Sequence, residues 1–185
     1  MTELLIGPAR NTGCQNIDGL SEVIIAAAAG QRSPQDDILD AEMVDEEPYM
    51  GSLAAALGIQ WLGEIPAPPE PLPLRKICGP QVALRHRILP VEFEGSEEHG
   101  TRRLVIVTYD PFNLAARQAA VQAVDIPIAW RMASRRRVHD GLRRLYGVGA
   151  DTFEQILEGR DLEYDNLEQK DEASVIDEDE DEEKD

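Results

Sequence analysis

Cysteine, lysine and aromatic side chains are all scarce in this 185-residue chain, and each scarcity removes a class of function. Two cysteines, Cys14 and Cys78, with no C-x-x-C spacing exclude a disulfide framework. The three histidines, His86, His99 and His139, stand far apart and give no zinc spacing with those cysteines. Only three lysines occur, Lys76, Lys170 and Lys184, and none closes a G-x-x-x-x-G-K-[ST] run, so a Walker phosphate loop is missing. No H-E-x-x-H and no G-x-S-x-G is present. Aromatic residues make up 5% of the chain and do not interleave with basic ones, which argues against stacking on single-stranded nucleic acid. The longest apolar runs resemble Ile24 to Ala29, too short to cross a bilayer. The opening MTELLIGPAR lacks the basic and apolar regions of a signal peptide. A soluble, cytoplasmic protein with no metal, no cofactor, no nucleic-acid partner and no membrane insertion is the expectation.

Positive charge is also scarce, but unevenly so. The 36 acids and 18 Lys+Arg give a net charge of −18, which repels phosphate backbones and anionic membranes. Residues 1–50 carry 10 acids and 2 bases, residues 51–150 carry 9 and 13, and residues 151–185 carry 17 and 3. A mildly basic middle therefore lies between two acidic ends. The expected organisation is an acidic N-terminal region over 1–50, partly helical or loose, a folded domain over 51–158, and a disordered acidic tail over 159–185.

Residues 1–19 show little periodicity and read as loose. Leu20 to Ala29 reads as a short helix with Ser21 as N-cap and Gly30 as stop, or alternatively as a strand through Ile24 and Ile25. Gln31 to Glu47 reads as linker or as one weak helix near Asp37 to Met43. Ser52 predicts a cap for Leu53 to Leu57, Gly58 its stop, and Ile59 to Leu62 a brief extended piece. The prolines between Pro66 and Pro73 forbid a regular helix and suit a connector or a polyproline ligand. Leu74 to Leu84 reads as helical with a break at Gly79-Pro80.

Arg87 to Glu94 is an extended segment carrying Pro, hence an edge strand or a strand with a break, and Arg103 to Thr108 is apolar on both faces, as a strand covered on each side should be. The two predict a hairpin. Asn113 caps a helix to about Ala123, Ile126 to Trp130 is a further strand, and Ser134 caps Arg135 to Tyr146, stopped by Gly147. Phe153, Ile156 and Leu157 suggest a short helix within Asp151 to Glu158. The order predicts an α+β fold, a small mixed helix–strand sandwich.

Few residues suggest chemistry. Asp110 follows the best strand, where open sheets bind ligands, but reads first as a turn-former ahead of Pro111. His139 and Asp140 are adjacent on a helix and do not face each other, so they read as surface. Arg135, Arg136, Arg137, Arg143 and Arg144 make one side of a helix basic, suited to an acidic segment, an anion or the chain's own tail, or simply solvated. The tail lacks the ligand spacing of a calcium loop.

Taken in order, several segments resemble the N-terminal domain of the secretion and pilus-assembly ATPases, the type II secretion protein E and type IV pilus assembly B group. SLAAALGIQWL from Ser52, the Pro-rich piece Ile65 to Pro73, RHRILPVEFE from Arg85, RLVIVTYDPFNLAARQAA from Arg103, Ile126 to Gly147, GVGADTFEQILEG from Gly147 and EASVI from Glu172 carry the resemblance. It implies a non-catalytic adaptor that binds the cytoplasmic domain of an inner-membrane secretion or pilus platform protein. No ATPase elements stand in this sequence, as a stand-alone homologue, a truncated gene or a fragment would each have it. Some members bind cyclic di-GMP through a repeated Arg-Leu-Gly-containing motif; residues 1–50 hold no such repeat, so that nucleotide is not carried over. Arg135, Arg136, Val138, Leu142, Arg143, Arg144 and Tyr146 are the candidate partner-binding residues. The alternatives are a regulator docking on a separate secretion ATPase and a nucleotide or small-molecule sensor with a pocket near Asp110 or the arginine helix.

Overall fold

The computed structural model describes residues 2–147. The expected helix at Asp151 to Glu158, the EASVI segment and the acidic tail lie outside the described residues. Four helices come first: α1 (Thr2–Asn11), α2 (Ile17–Ala29), α3 (Gln35–Asp40) and α4 (Glu46–Leu57). Then follow β1 (Gln60–Trp61), α5 (Pro71–Ile77), α6 (Pro80–His86), β2 (Leu89–Glu94), β3 (Arg103–Thr108), α7 (Leu114–Ala123), β4 (Ile128–Met132) and α8 (Arg135–Tyr146). Among these residues no helix is long and apolar enough to cross a membrane.

The strands form one open sheet in the order β1-β4-β3-β2. β2 and β3 are the antiparallel hairpin expected from the sequence, whereas β3–β4 and β4–β1 are parallel. Parallel neighbours need a crossover, and α7 supplies it between β3 and β4. Leu104 to Val107 are completely buried, which is why β3 is apolar on both faces. Pro90 sits on the edge strand β2, next to an irregularity between Pro90 and Glu92, where a missing donor is tolerated. Helix α8 packs on α5, α6, β2 and β3, α5 packs also on β2, α6 packs also on α7, α4 packs on β1 and β4, and α1 packs on α4 and α2.

Local chemistry explains most boundaries. The Asn113 side chain accepts from the Ala116 N–H at 3.0 Å, and Gly58 and Gly147 end their helices in the left-handed region at φ +65° and +63°. Pro71 and Pro80 open α5 and α6, where their missing N–H groups would have no helical partner.

Several elements differ from the sequence reading. Residues 2–11, read as loose, form α1, whose Leu5, Ile6 and Ala9 are buried. Its interior Pro8 gives it poor intrinsic propensity, so burial against α4 and α2 sustains it. The cap of α2 is Asn16, which accepts from the Gly19 N–H at 2.9 Å, and Ser21 lies inside the helix. α4 starts at Glu46 and places Ser52 in its interior; Glu46 and Glu47 favour its N-terminal dipole, and Pro48 is tolerated in a first turn. β4 begins at Ile128, just past Pro127, which has no N–H for a central ladder.

A charged cleft between the first helices and the sheet

The acidic N-terminal region and the basic middle meet through their charges. Asp36 and Asp40 of α3 with Glu46 and Glu47 of α4 carry the acids across, and Ser33, two residues before α3, adds a hydroxyl. The Ser33 hydroxyl donates to Asp110 at 2.6 Å, and Asp36 receives three donors. These are Arg87 Nη1 at 2.7 Å, the Tyr109 hydroxyl at 3.0 Å and Arg135 Nη1 at 3.4 Å. Arg87 Nη1 also donates to the Tyr109 hydroxyl at 2.8 Å, and Arg135 Nη1 to Asp40 at 2.6 Å. The Arg135 backbone N–H, at the start of α8, donates to the Glu46 carboxylate, and Arg137 pairs with Glu47 at 3.1 Å.

Each part of this cluster has a local cause. Arg87 is the C-cap of α6 and adopts φ +53°, ψ +46°, a left-handed conformation normally given to glycine. A non-glycine residue there costs about 1–2 kcal/mol, so its neighbours must fix it. Tyr109 and Asp110 leave the end of β3, the central strand. Asp110 closes its own turn by accepting from the Phe112 N–H at 3.1 Å, so it both forms the turn and crosslinks to Ser33.

Burial and charge set the protonation states. Burial pushes the Asp110 carboxyl upward, while the Ser33 and Phe112 hydrogen bonds pull it back. Burial opposes the charge of Arg87, but Tyr109 and Asp36 outweigh it and keep the guanidinium cationic. His139, read as surface in the sequence, instead packs edge-to-face on Tyr109 with centroids 5.5 Å apart. Burial, followed by repulsion from Arg87 and Arg135, lowers it to about 4, so it is neutral near pH 7.

Two cavities open beside the cluster. A polar one of about 250 Å³ has Arg32, Arg85 and Arg87 against Asp36, Asp37 and Asp110 in its lining, with Tyr109, His86 and Asn113. The other, about 500 Å³, is lined by Asp36, Asp40, Arg87, Arg135 and His139. Guanidinium groups bind phosphate oxygens in bidentate fashion, and carboxylates accept N–H groups from a base edge. The balanced lining suits a ligand carrying both kinds of group. No group of side chains that could hold a metal ion is found among the described residues.

The residues singled out from the sequence do not form one surface. Val138 and Leu142 are fully buried, and Tyr146 donates its hydroxyl to the Cys78 carbonyl in the interior. Arg135 points into the cleft. Arg136 is 87% exposed and Arg143 pairs with Asp140. Arg144 reaches the Ile65 carbonyl at 3.4 Å and borders a separate apolar groove of about 160 Å³, with Pro66, Leu89, Val91 and Leu145 in its walls. The sequence reading flagged Asp110 and the arginine helix but missed Asp36, Arg87 and Tyr109. The only local sign of Arg87 was a helix that ends without glycine.

The chain matches the family model "MshEN domain" over residues 57–152. Among solved structures it is similar to a structure of MshE with cdg, at 20% identity and a TM-score of 0.57, covering 78% of this chain and 97% of that one. It is also similar to the N-terminal domain of XpsE in two crystal forms, at 18% and 20% identity and TM-scores of 0.45 and 0.43. These cover 66% and 67% of this chain and 92% and 94% of those chains. No curated protein is similar enough to match. The expected resemblance to the secretion-ATPase N-terminal domain and the expected small mixed helix–strand fold are thereby met, its sheet being open. The expected role, a generic protein-binding adaptor, is corrected. The matched domain is a regulatory, ligand-binding module and not the catalytic ATPase domain, and the relative with the higher TM-score is a structure with cdg, cyclic di-GMP.

Proposed function

The chain belongs to the MshEN domain family, and from that premise we propose that it is a non-catalytic sensor of a phosphate-bearing nucleotide, with cyclic di-GMP the first ligand to test. The observation that carries this reading is the convergence of Arg32, Arg85 and Arg87 with Tyr109 around one polar cavity within and beside the matched residues. Residues 1–50 hold no Arg-Leu-Gly repeat, and Arg32 is followed by Ser33 and Pro34. Phosphate contacts therefore fall to the arginines of the cleft, and the base edge to Asp37. Ligand occupancy is passed to a component of a secretion or pilus machine, either a separate secretion ATPase or the cytoplasmic domain of a platform protein.

Calorimetric titration of the full chain with cyclic di-GMP, beside Arg87→Ala, tests this. A charged hydrogen bond is worth about 1.5–3 kcal/mol, so the variant should bind at least about tenfold more weakly. Raising the salt should weaken both. Absence of both heat and thermal shift with cyclic di-GMP and with ATP would end the reading.

A further inference from the structure

The cavity beside Arg32 is smaller than the roughly 300 Å³ at which small-molecule sites begin, and the second cavity shares two of its walls. Those shared walls are Asp36 and Arg87, which pair at 2.7 Å. We propose that the Asp36–Arg87 ion pair is a gate that divides one ligand site into two cavities, and that a phosphate-bearing ligand enters by taking Arg87 and Arg135 away from Asp36.

Three observations support the gate, which rests on the nucleotide-sensing reading. First, Asp36 occupies the donors that a phosphate would need: its two oxygens face Arg87, Tyr109 and Arg135. A carboxylate held by two guanidiniums and a phenol is a stand-in for one face of a phosphate. Second, the pair is poised to exchange. The Asp36 side chain is 37% exposed and that of Arg87 29%, so water can solvate the carboxylate as it leaves. Water screens an ion pair this accessible, so its net contribution is well below that of a dry one. Third, the two partners are held differently. Arg87 is fixed at a strained helix end against the buried Tyr109, while Asp36 sits on α3, a helix of six residues. α3 is anchored on one side by the buried Gln35, Ile38 and Leu39 and on the other by Asp36, so releasing Asp36 removes one of its two attachments while the strand end keeps its ladder.

The gate makes ligand binding and the docking of α3 antagonistic. Binding then weakens the hold of α3 on the end of β3, a change that a partner chain can read.

The test uses the full chain, with Asp36→Asn and the conservative Asp36→Glu. Asparagine fills the same space without competing as an anion. Asp36→Asn should therefore bind cyclic di-GMP about tenfold more tightly than the unaltered chain, and Asp36→Glu should stay within about threefold of it. Cyclic di-GMP should also speed amide hydrogen exchange across residues 35–40 in the unaltered chain. A merely structural Asp36 would give weaker or equal binding in Asp36→Asn, and that result overturns the gate. If cyclic di-GMP binds none of the three proteins, the nucleotide reading falls separately. Inorganic pyrophosphate then judges the gate: tighter binding to Asp36→Asn sustains it, and equal, weaker or absent binding overturns it.

Discussion

Replacing Arg87 by alanine and, separately, by glycine separates the two things this residue does. In either variant Asp36 loses its 2.7 Å partner and the Tyr109 hydroxyl loses its 2.8 Å donor. Asp36 keeps Tyr109 at 3.0 Å and Arg135 at 3.4 Å, and it is partly solvated. The loss is therefore at the lower end of the range for charged hydrogen bonds, about 2 kcal/mol after solvent screening. Alanine must still adopt φ +53°, at a cost of about 1–2 kcal/mol, whereas glycine takes that conformation freely. Glycine's greater freedom in the unfolded chain recovers only part of that advantage for alanine. Arg87→Gly should thus be destabilised by about 1 kcal/mol and Arg87→Ala by about 2 kcal/mol. For a unit of this size the two melting temperatures should differ by about 2–4 °C. Urea denaturation of the full-length variants at constant m-value measures the difference. An alanine variant as stable as the glycine one would refute the claim that Arg87 stores strain to reach Asp36.

Two further variants probe the surroundings of the cleft. A Cβ on Gly141 would stand 2.3 Å from Leu89 Cδ2, and Leu89 is buried. Gly141→Ala should gain about 1 kcal/mol in helix propensity and lose about 1–3 kcal/mol to overpacking. The net loss should shrink when Leu89→Ala is added, a coupling that a double-mutant cycle detects and whose absence would count against the packing. The pH dependence follows from His139, whose folded value, about 4, lies below the ordinary 6.5. The unfolded chain binds the proton first, so this contribution is intact above pH 6.5 and is lost as pH falls toward 4. His86 is lowered too and adds to the slope, while the raised Asp110 opposes it. His139→Gln should flatten stability between pH 4 and 6.5 by about 3 kcal/mol, and an unchanged slope would remove His139 as its source.

The sheet domain was legible in the sequence where local signals and burial agree. Leu104 to Thr108 is largely β-branched and covered on both faces, Asn113 caps α7, Ser134 stands at the N-cap position of α8 although its hydroxyl makes no capping bond, and Gly58 and Gly147 end α4 and α8. The first helix was not legible, because Pro8 and sparse periodicity hide a segment held by contacts with α4. The cleft was half legible. Asp110 after a strand is a position that sequence can flag, but Asp36 meets Arg87, Tyr109 and Arg135 only across 51, 73 and 99 residues of chain. Acidity spread over residues 1–50 looked like a solvated appendage, yet Asp36, Asp40, Glu46 and Glu47 are the counter-charges of the arginines beside them in space. The same long-range pairing explains why the arginine helix did not present one partner surface: its first residue turns inward while its apolar side fills the core.

The central claim is that the arginines of the cleft receive the phosphates of a cyclic dinucleotide. The most direct measurement follows arginine Nε–H resonances while the full chain is titrated with cyclic di-GMP. The signals of Arg32, Arg85 and Arg87, which line the cavity, should shift saturably, while that of Arg136, which is 87% exposed, stays in place. Shifts confined to Arg136, or none at any arginine, would contradict the account.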